Sequence, residues 1–264
     1  MSDPAGRRKL VGWLLVPAVV VAAAGAWLIF DPGFRFNAPT GEVATVLPKD
    51  EFERRVRDYI LNNPEIVMEA ARRFEQRQRA AEESEATAVL KVRAEEIFRD
   101  SNSPVGGNPN GDVSLVEFFD YNCPYCRQVT PIMAEAEAAD PQLRIVYKEF
   151  PILGPNSTFS ARAALAVHRQ GKYLAFHKEM MLDRGVADEA KVLRIADKIG
   201  VDLERMKSDM NDPTIVAMIE RNLALAQALR INGTPSFIAG DQVVRGAVDL
   251  KALQSLIQQA RGKK

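Results

Sequence analysis

The chain has 264 residues, 47% of them hydrophobic, with 35 lysines and arginines against 35 aspartates and glutamates, two histidines and two cysteines. Balanced charge excludes the broad positive field by which proteins hold nucleic acid. Two thiols exclude a disulfide-dense scaffold, and the length fits one sizeable domain with attached segments.

Residues 1–9 form a basic head ending in Arg7, Arg8 and Lys9, and residues 10–30, LVGWLLVPAVVVAAAGAWLIF, carry no charge. A helix of that length rises about 1.5 Å per residue and matches the ~30 Å hydrocarbon core of a bilayer. The run therefore reads as a single-pass anchor. The positive-inside rule puts the head in the cytoplasm and the body in an oxidising, extracytoplasmic space. A cleaved secretory signal, with Ala24-Gly25-Ala26 as its site, is the alternative. Residues 31–47 lack a sustained period and read as a linker.

Residues 48–100 read as a helical arm. Phe52, Val56, Tyr59 and Ile60 follow helical spacing, and Asn63-Pro64 breaks and restarts the pattern. Val67, Ala70, Ala71 and Phe74 share one side of the next helix, followed by a charged stretch and then Val89, Val92 and Ile97. So narrow an apolar stripe leans on its own domain, pairs with copies of itself, or belongs to a solvated spacer. The turn formers of residues 101–112, SNSPVGGNPNGD, read as a boundary before the main domain, residues 101–264.

That domain reads as α/β. VSLVEFF, from Val113 to Phe119, and RIVYKEF, from Arg144 to Phe150, are strand patterns, with a helix between them that Pro131 is expected to kink. From about 152 to 231 the pattern is almost wholly helical, with one stripe of Val192, Ile195, Ala196 and Ile199. A second, Ile215, Met218, Ile219, Asn222, Ala226 and Leu229, lies behind Asp212-Pro213. A hairpin about Gly240-Asp241 and a last helix capped by Asp249 close the chain.

Both cysteines lie in FDYNCPYC, Cys123 and Cys126 with Pro124 and Tyr125 between them. A disulfide closing so short a loop contributes only about 2 kcal/mol by chain entropy, which makes a poor staple. Structural zinc asks for four ligands, and His168 and His177, nine apart, do not have finger spacing. Two thiolates are enough for Cu(I), so copper binding stays open as an alternative. The redox reading accounts for more of the local sequence. A cysteine at a helix N-terminus is favoured as thiolate, and Pro124 at the first helical turn lacks a donor where none is needed. Cys126, one turn in, is expected to keep its proton until it resolves a mixed disulfide.

FFDYNCPYC after a strand, the helical block, and NGTPSF before a hairpin and last helix together resemble the DsbA-type thiol:disulfide oxidoreductases. The resemblance implies a thioredoxin-like fold with an inserted helical domain. It also implies a cis bond at Thr234-Pro235 facing the active-site sulfurs, with Thr234 offering backbone atoms to a substrate strand. The stretch LPKDEFERRVRDYILNNPEIVMEAARRFEQRQ is similar to the N-terminal region of the suppressor-of-copper-sensitivity C branch, some members of which are trimeric and isomerise disulfides. Tyr125 stands where strongly oxidising DsbA-type enzymes have histidine, which implies a milder oxidant. Glu117, six residues before Cys123, matches an acidic residue beneath the site in this family. It is either a buried proton relay for Cys126 or an exposed strand-edge residue. His168 and His177 read as structural or surface residues, and Phe118, Phe119 and Phe237 as core.

The sequence thus implies a periplasm-facing oxidoreductase anchored in a bacterial inner membrane. It needs no cofactor beyond a Cys123–Cys126 disulfide and no metal. Its expected partners are unfolded or misoxidised proteins, a membrane redox protein that recycles the dithiol and, by the likeness to the trimeric members of that branch, two further copies of itself.

Overall fold

The computed structural model describes residues 48–262. The head, anchor or signal, and linker read for residues 1–47 lie outside the described residues, among which no helix is long and apolar enough to cross a membrane.

The chain divides into two units, Met1–Val67 and Met68–Lys264. The described part of the first is built on α1, Lys49–Asn62, which buries no residue in the single chain and leaves Phe52, Val56, Tyr59 and Ile60 exposed. Helix α2 is Glu65–Val92, and a short α3 spans Ala94–Phe98.

The second unit is organised by five strands in the order β1-β3-β2-β4-β5. They are β1 Val105–Gly107, β2 Val113–Phe119, β3 Leu143–Glu149, β4 Ser236–Ala239 and β5 Gln242–Arg245. β2 and β3 run parallel, joined by α4, Pro124–Ala139, while every other neighbouring pair is antiparallel. Strands at the centre of a sheet covered on both faces read as continuous apolar runs, as β2 does. Its alternate residues sort between two cores. Val113, Leu115 and Phe119 face Val129 and Met133 of α4 together with Leu253 and Ile257 of the last helix, α10, Leu250–Gly262. Val116 and Phe118 face Leu90, Ile97, Leu225 and Ile231. Glu117, between Leu115 and Phe119, therefore shares the α4 face.

The inserted block is α5 Pro155–His168, α6 Tyr173–Leu182, α7 Glu189–Lys198, α8 Leu203–Asp209 and α9 Pro213–Ala228. Both apolar stripes read from the sequence are its core-facing sides, with Ile199 only partly buried. Asp212 caps α9 by accepting from the Thr214 N–H, and Asp249 accepts from Ala252 N–H at 2.7 Å. α4 continues through Pro131.

One expectation is corrected. Residues 101–112 hold β1, which pairs with β3, because the two glycines read as turn formers permit close approach. Gly107 has φ 64°, and a Cβ there would lie 2.3 Å from the Leu143 carbonyl oxygen. Of the readings of the arm, leaning on its own domain holds for its C-terminal end. Leu90 and Ile97 are buried against the sheet, whereas Val92, read as part of the stripe, is 87% exposed. Buried Lys148 of β3 fastens this region, donating to the Glu96 carbonyl oxygen and to Ser103 Oγ, both at 2.8 Å. Arg144 donates to the Phe98 carbonyl oxygen.

Candidate active site

β2 ends at Phe119, and the loop Asp120–Asn122 leads into α4 with Cys123 as N-cap and Pro124 at the first turn. The N-terminal first turn has unpaired N–H groups, and proline there sacrifices none that is needed. The two cysteines are unbonded. Cys123 keeps 4% of its surface exposed, Cys126 none, and Pro124 and Tyr125 project into solvent beside them. Opposite lies the loop before β4, where Thr234-Pro235 is cis. The Cys123 thiol donates to the Thr234 carbonyl oxygen at 3.2 Å.

The electrostatics separate the two sulfurs. Cys123 is lowered to about 6, foremost by a hydrogen bond from the Cys126 thiol; burial opposes this, and the Thr234 side chain and the N–H groups of Cys126 and Tyr125 add to it. The Cys126 thiol is pushed far up by burial, by its hydrogen bond to Cys123 and by Glu117. The helix N-terminus thus contributes to the anion as its position implies, but the second thiol contributes most.

Glu117 is 3% exposed, in the central strand, paired in register with Tyr147 on one side and Phe237 on the other. Burial, and then the negative charge of Cys123, raise its carboxyl to about 8. Its side chain has no hydrogen-bond partner among the described residues. It lines a cavity of about 470 Å³ that also meets Thr130, Met133, Tyr147 and His177. The strand-edge alternative for Glu117 is thereby removed.

Sequence reasoning missed a second buried carboxyl. Glu149 ends β3, and its Oε1 accepts from Tyr173 Oη at 2.8 Å and from Tyr121 Oη at 3.4 Å. Tyr121 Oη also lies 3.3 Å from His177 Nδ1. Burial raises Glu149 well above the carboxylate range and lowers His177 to about 3, so the imidazole of this network is neutral at pH 7. His177 is buried, not at the surface, and stands behind the active-site loop beside Tyr121. No spacing links Tyr121, Glu149, Tyr173 and His177 in the sequence; only the fold brings them together. Asp120 and Asn122 were also passed over, although polar residues between a strand and a reactive cysteine are a signal in themselves.

A dithiol at a strand-to-helix junction, one sulfur poised as anion and the other protonated beneath a cis-proline loop, defines a thiol–disulfide protein on a thioredoxin-like sheet. Comparison with known proteins narrows this. Residues 114–258 match the model of the DSBA-like thioredoxin domain, and residues 49–81 match that of the copper resistance protein ScsC N-terminal domain. The chain therefore belongs to the family of DsbA-like thiol:disulfide oxidoreductases and is ScsC-like in its N-terminal region. A thioredoxin-like oxidoreductase from Silicibacter pomeroyi is 50% identical, the match covering 64% of this chain and 97% of that one with a TM-score of 0.63. Proteus mirabilis ScsC, as a linker-deletion mutant, is 26% identical over 84% of this chain and all of its own (100%), with a TM-score of 0.64. The thiol-disulfide exchange protein alpha-DsbA2 of Wolbachia pipientis is 28% identical over 68% of this chain and 97% of its own, TM-score 0.63. Among curated sequences, a Na(+)/H(+) antiporter NhaA 3 of Salinispora tropica is 27% identical over 59% of this chain. The chain spans only about a quarter of that relative's length, 24%.

Proposed function

We propose that the protein is an extracytoplasmic thiol:disulfide oxidoreductase that forms or isomerises disulfides in unfolded or misoxidised proteins through Cys123 and Cys126. The observation that carries this is the split between the sulfurs, Cys123 lowered to about 6 and Cys126 raised beyond the physiological range. At pH 7 about nine-tenths of Cys123 is then thiolate, while its resolving partner holds its proton.

The Cys123 thiolate attacks one sulfur of a substrate disulfide; that bond breaks, a Cys123–substrate disulfide forms, and the other substrate sulfur leaves as thiolate and takes a proton. Cys126 gives up its proton, to water or to the minor ionised fraction of Glu117, and attacks Sγ of Cys123, which releases the second substrate thiolate and leaves a Cys123–Cys126 disulfide. Two electrons move from the protein to the substrate, and the reverse sequence oxidises a substrate dithiol. Isomerisation stops at the mixed disulfide and lets another substrate thiol resolve it, with no net electron transfer. Thr234 and Pro235 would hold the substrate strand beside Cys123, and Tyr125, lacking an imidazole's charge, fits a mild oxidant. The protein's own dithiol would be reset by a membrane redox partner, with the catalytic domain held at the periplasmic face by residues 10–30 or released there if that segment is cleaved. The exposed stripe Phe52, Val56 and Tyr59, at i, i+4 and i+7, fits pairing with further copies of the chain, a trimer included.

The match of residues 49–81 to the copper-resistance N-terminal domain favours a second reading, capture of Cu(I) by the two thiolates. One set of measurements separates the two. Iodoacetamide labelling of Cys123 against pH should turn on near 6, the unsubstituted chain should reduce or reshuffle a scrambled disulfide substrate in a glutathione buffer, and Cys123→Ser should do neither. A chain that binds Cu(I) stoichiometrically but exchanges no disulfide overturns the enzyme in favour of the metal holder.

A further inference from the structure

Asp120, Tyr121 and Asn122 join β2 to the N-cap Cys123, and Tyr121 is gripped from two directions. Its carbonyl oxygen accepts from Nη2 of Arg127, one turn into α4, at 2.6 Å. Its buried ring stands edge-on to Phe119, with centroids 5.1 Å apart, and its hydroxyl reaches polar side chains of other elements. Tyr121 Oη donates to Glu149 Oε1 at 3.4 Å and lies 3.3 Å from His177 Nδ1, while Tyr173 Oη donates to the same Oε1 at 2.8 Å. A phenol has one proton. Given to Glu149, it leaves the Tyr121 oxygen to accept from His177 Nδ1–H, so one tautomer of the neutral imidazole completes the chain. Glu149 is itself held, its carbonyl oxygen accepting from Asn222 Nδ2 at 3.1 Å, and the next residue, Phe150, donates its N–H to the Phe119 carbonyl oxygen at 2.9 Å. Two helices of the inserted block, α6 through Tyr173 and His177 and α9 through Asn222, thus meet β3 and the active-site loop at one residue. Tyr121, Glu149, Tyr173 and His177 are all buried. Apolar side chains would fill the same space without the cost of desolvating a carboxyl, so the polar knot calls for a reason in what it orients.

We propose that Tyr121, Glu149 and Tyr173 are positioning residues for thiol exchange: through the Tyr121 backbone they fix the first turn of α4 against the sheet and so aim its N–H groups at Sγ of Cys123. The inference rests on the exchange function proposed above and adds the inserted helical block as a support of the nucleophile. Cys123 N–H donates to the Asp120 carbonyl oxygen at 3.0 Å, so the place of the sulfur follows the loop. The N–H groups of Cys126 and Tyr125 that favour its anion belong to the turn that Arg127 hooks to Tyr121. Hydrogen bonds weaken steeply as their angle departs from linear. A loop freed from Glu149 therefore loses part of the thiolate's support although every group around the sulfur is still present.

The test is made on the full chain with Tyr121→Phe, which keeps the ring and removes the hydroxyl. The midpoint of Cys123 ionisation, followed by ultraviolet thiolate absorbance and about 6 in the parent, should rise to about 7, the scale of one net hydrogen bond. The thiolate fraction near pH 6 then falls about fivefold. Exchange with oxidised glutathione should slow only about twofold there, because the more basic thiolate is the better nucleophile, and should equal or exceed the parent near pH 9. Glu149→Gln, whose amide oxygen still accepts both phenols, should keep the parent midpoint, and Glu149→Leu should move it as Tyr121→Phe does. Ile97→Ala removes stability from the other core and should leave the midpoint in place, which separates positioning from a general loosening of the fold. An unchanged midpoint in Tyr121→Phe, an equal rise in Ile97→Ala, or a rise as large in Glu149→Gln as in Glu149→Leu overturns the positioning role. A parent that exchanges nothing with glutathione overturns the oxidoreductase itself, and this inference with it.

Discussion

At the scale of single residues, the buried acid Glu117 makes stability depend on pH. The unfolded chain loses the Glu117 proton near the ordinary 4.5, while the native chain keeps it to about 8. The native state therefore binds more protons across that window, and its stability falls as pH rises from 4.5 to 8. At 1.36 kcal/mol per unit, the penalty is roughly 3 kcal/mol by pH 7. Glu117→Gln should match the parent in urea unfolding near pH 4.5 and exceed it by about that amount at pH 7, while slowing release of the Cys123 mixed disulfide. Equal stability at both pH values would mean that water or an unseen cation satisfies the carboxyl. The cysteine pair, Pro124 and the Thr234-Pro235 turn were legible because each is a short local pattern. The burial of Glu117 was not, since alternation in β2 gives its face but not what packs over it.

At the scale of elements, the strand-to-helix junction was readable because hydrophobic period and capping agree there, and Asp212 and Asp249 announce their helices for the same reason. β1 was unreadable because its two glycines look like a turn until Tyr147 and Leu143 are seen packed against them. The end of the arm was half legible: Ile97 lay in the stripe read there, but the choice of buried Leu90 over exposed Val92 depends on partners Val116, Phe118 and Ile238, which come from strands far along the chain. Ile97 is fully buried. Ile97→Ala should therefore lower unfolding free energy by about 2–4 kcal/mol, the usual cost of an aliphatic core truncation, as measured by urea denaturation. A loss under 0.5 kcal/mol would place residues 83–100 with a detachable spacer after all. The same packing sets where the arm can be removed: a deletion of residues 49–81 spares the buried Ala86, Leu90 and Ile97, whereas one continued to residue 100 would open the core.

At the scale of the whole molecule, the question is whether one dithiol acts alone or among copies. Among the described residues nothing buries Phe52, Val56 and Tyr59. A helix with such a stripe is stable in water chiefly when another surface covers it. Light scattering of the full chain should give an oligomeric mass, and Phe52→Glu with Tyr59→Lys should give the mass of a single chain, 29.2 kDa. Reshuffling of scrambled disulfides should fall with the mass, and simple dithiol oxidation should not. A single-chain mass before substitution would assign the stripe to another partner.

The uneven ownership of protons by the two sulfurs bears on the rival use of the site as well. Cu(I) held between both sulfurs must displace the proton of Cys126, so its capture releases acid and weakens as the medium turns acidic. Attack by Cys123 on a disulfide leaves that proton in place, hydrogen-bonded to the anion, and is almost fully developed by neutrality. Acidification towards pH 6 would thus weaken metal capture while attack by Cys123 is still largely developed, and the same pair of thiols would lean from one occupation to the other with the acidity of its surroundings.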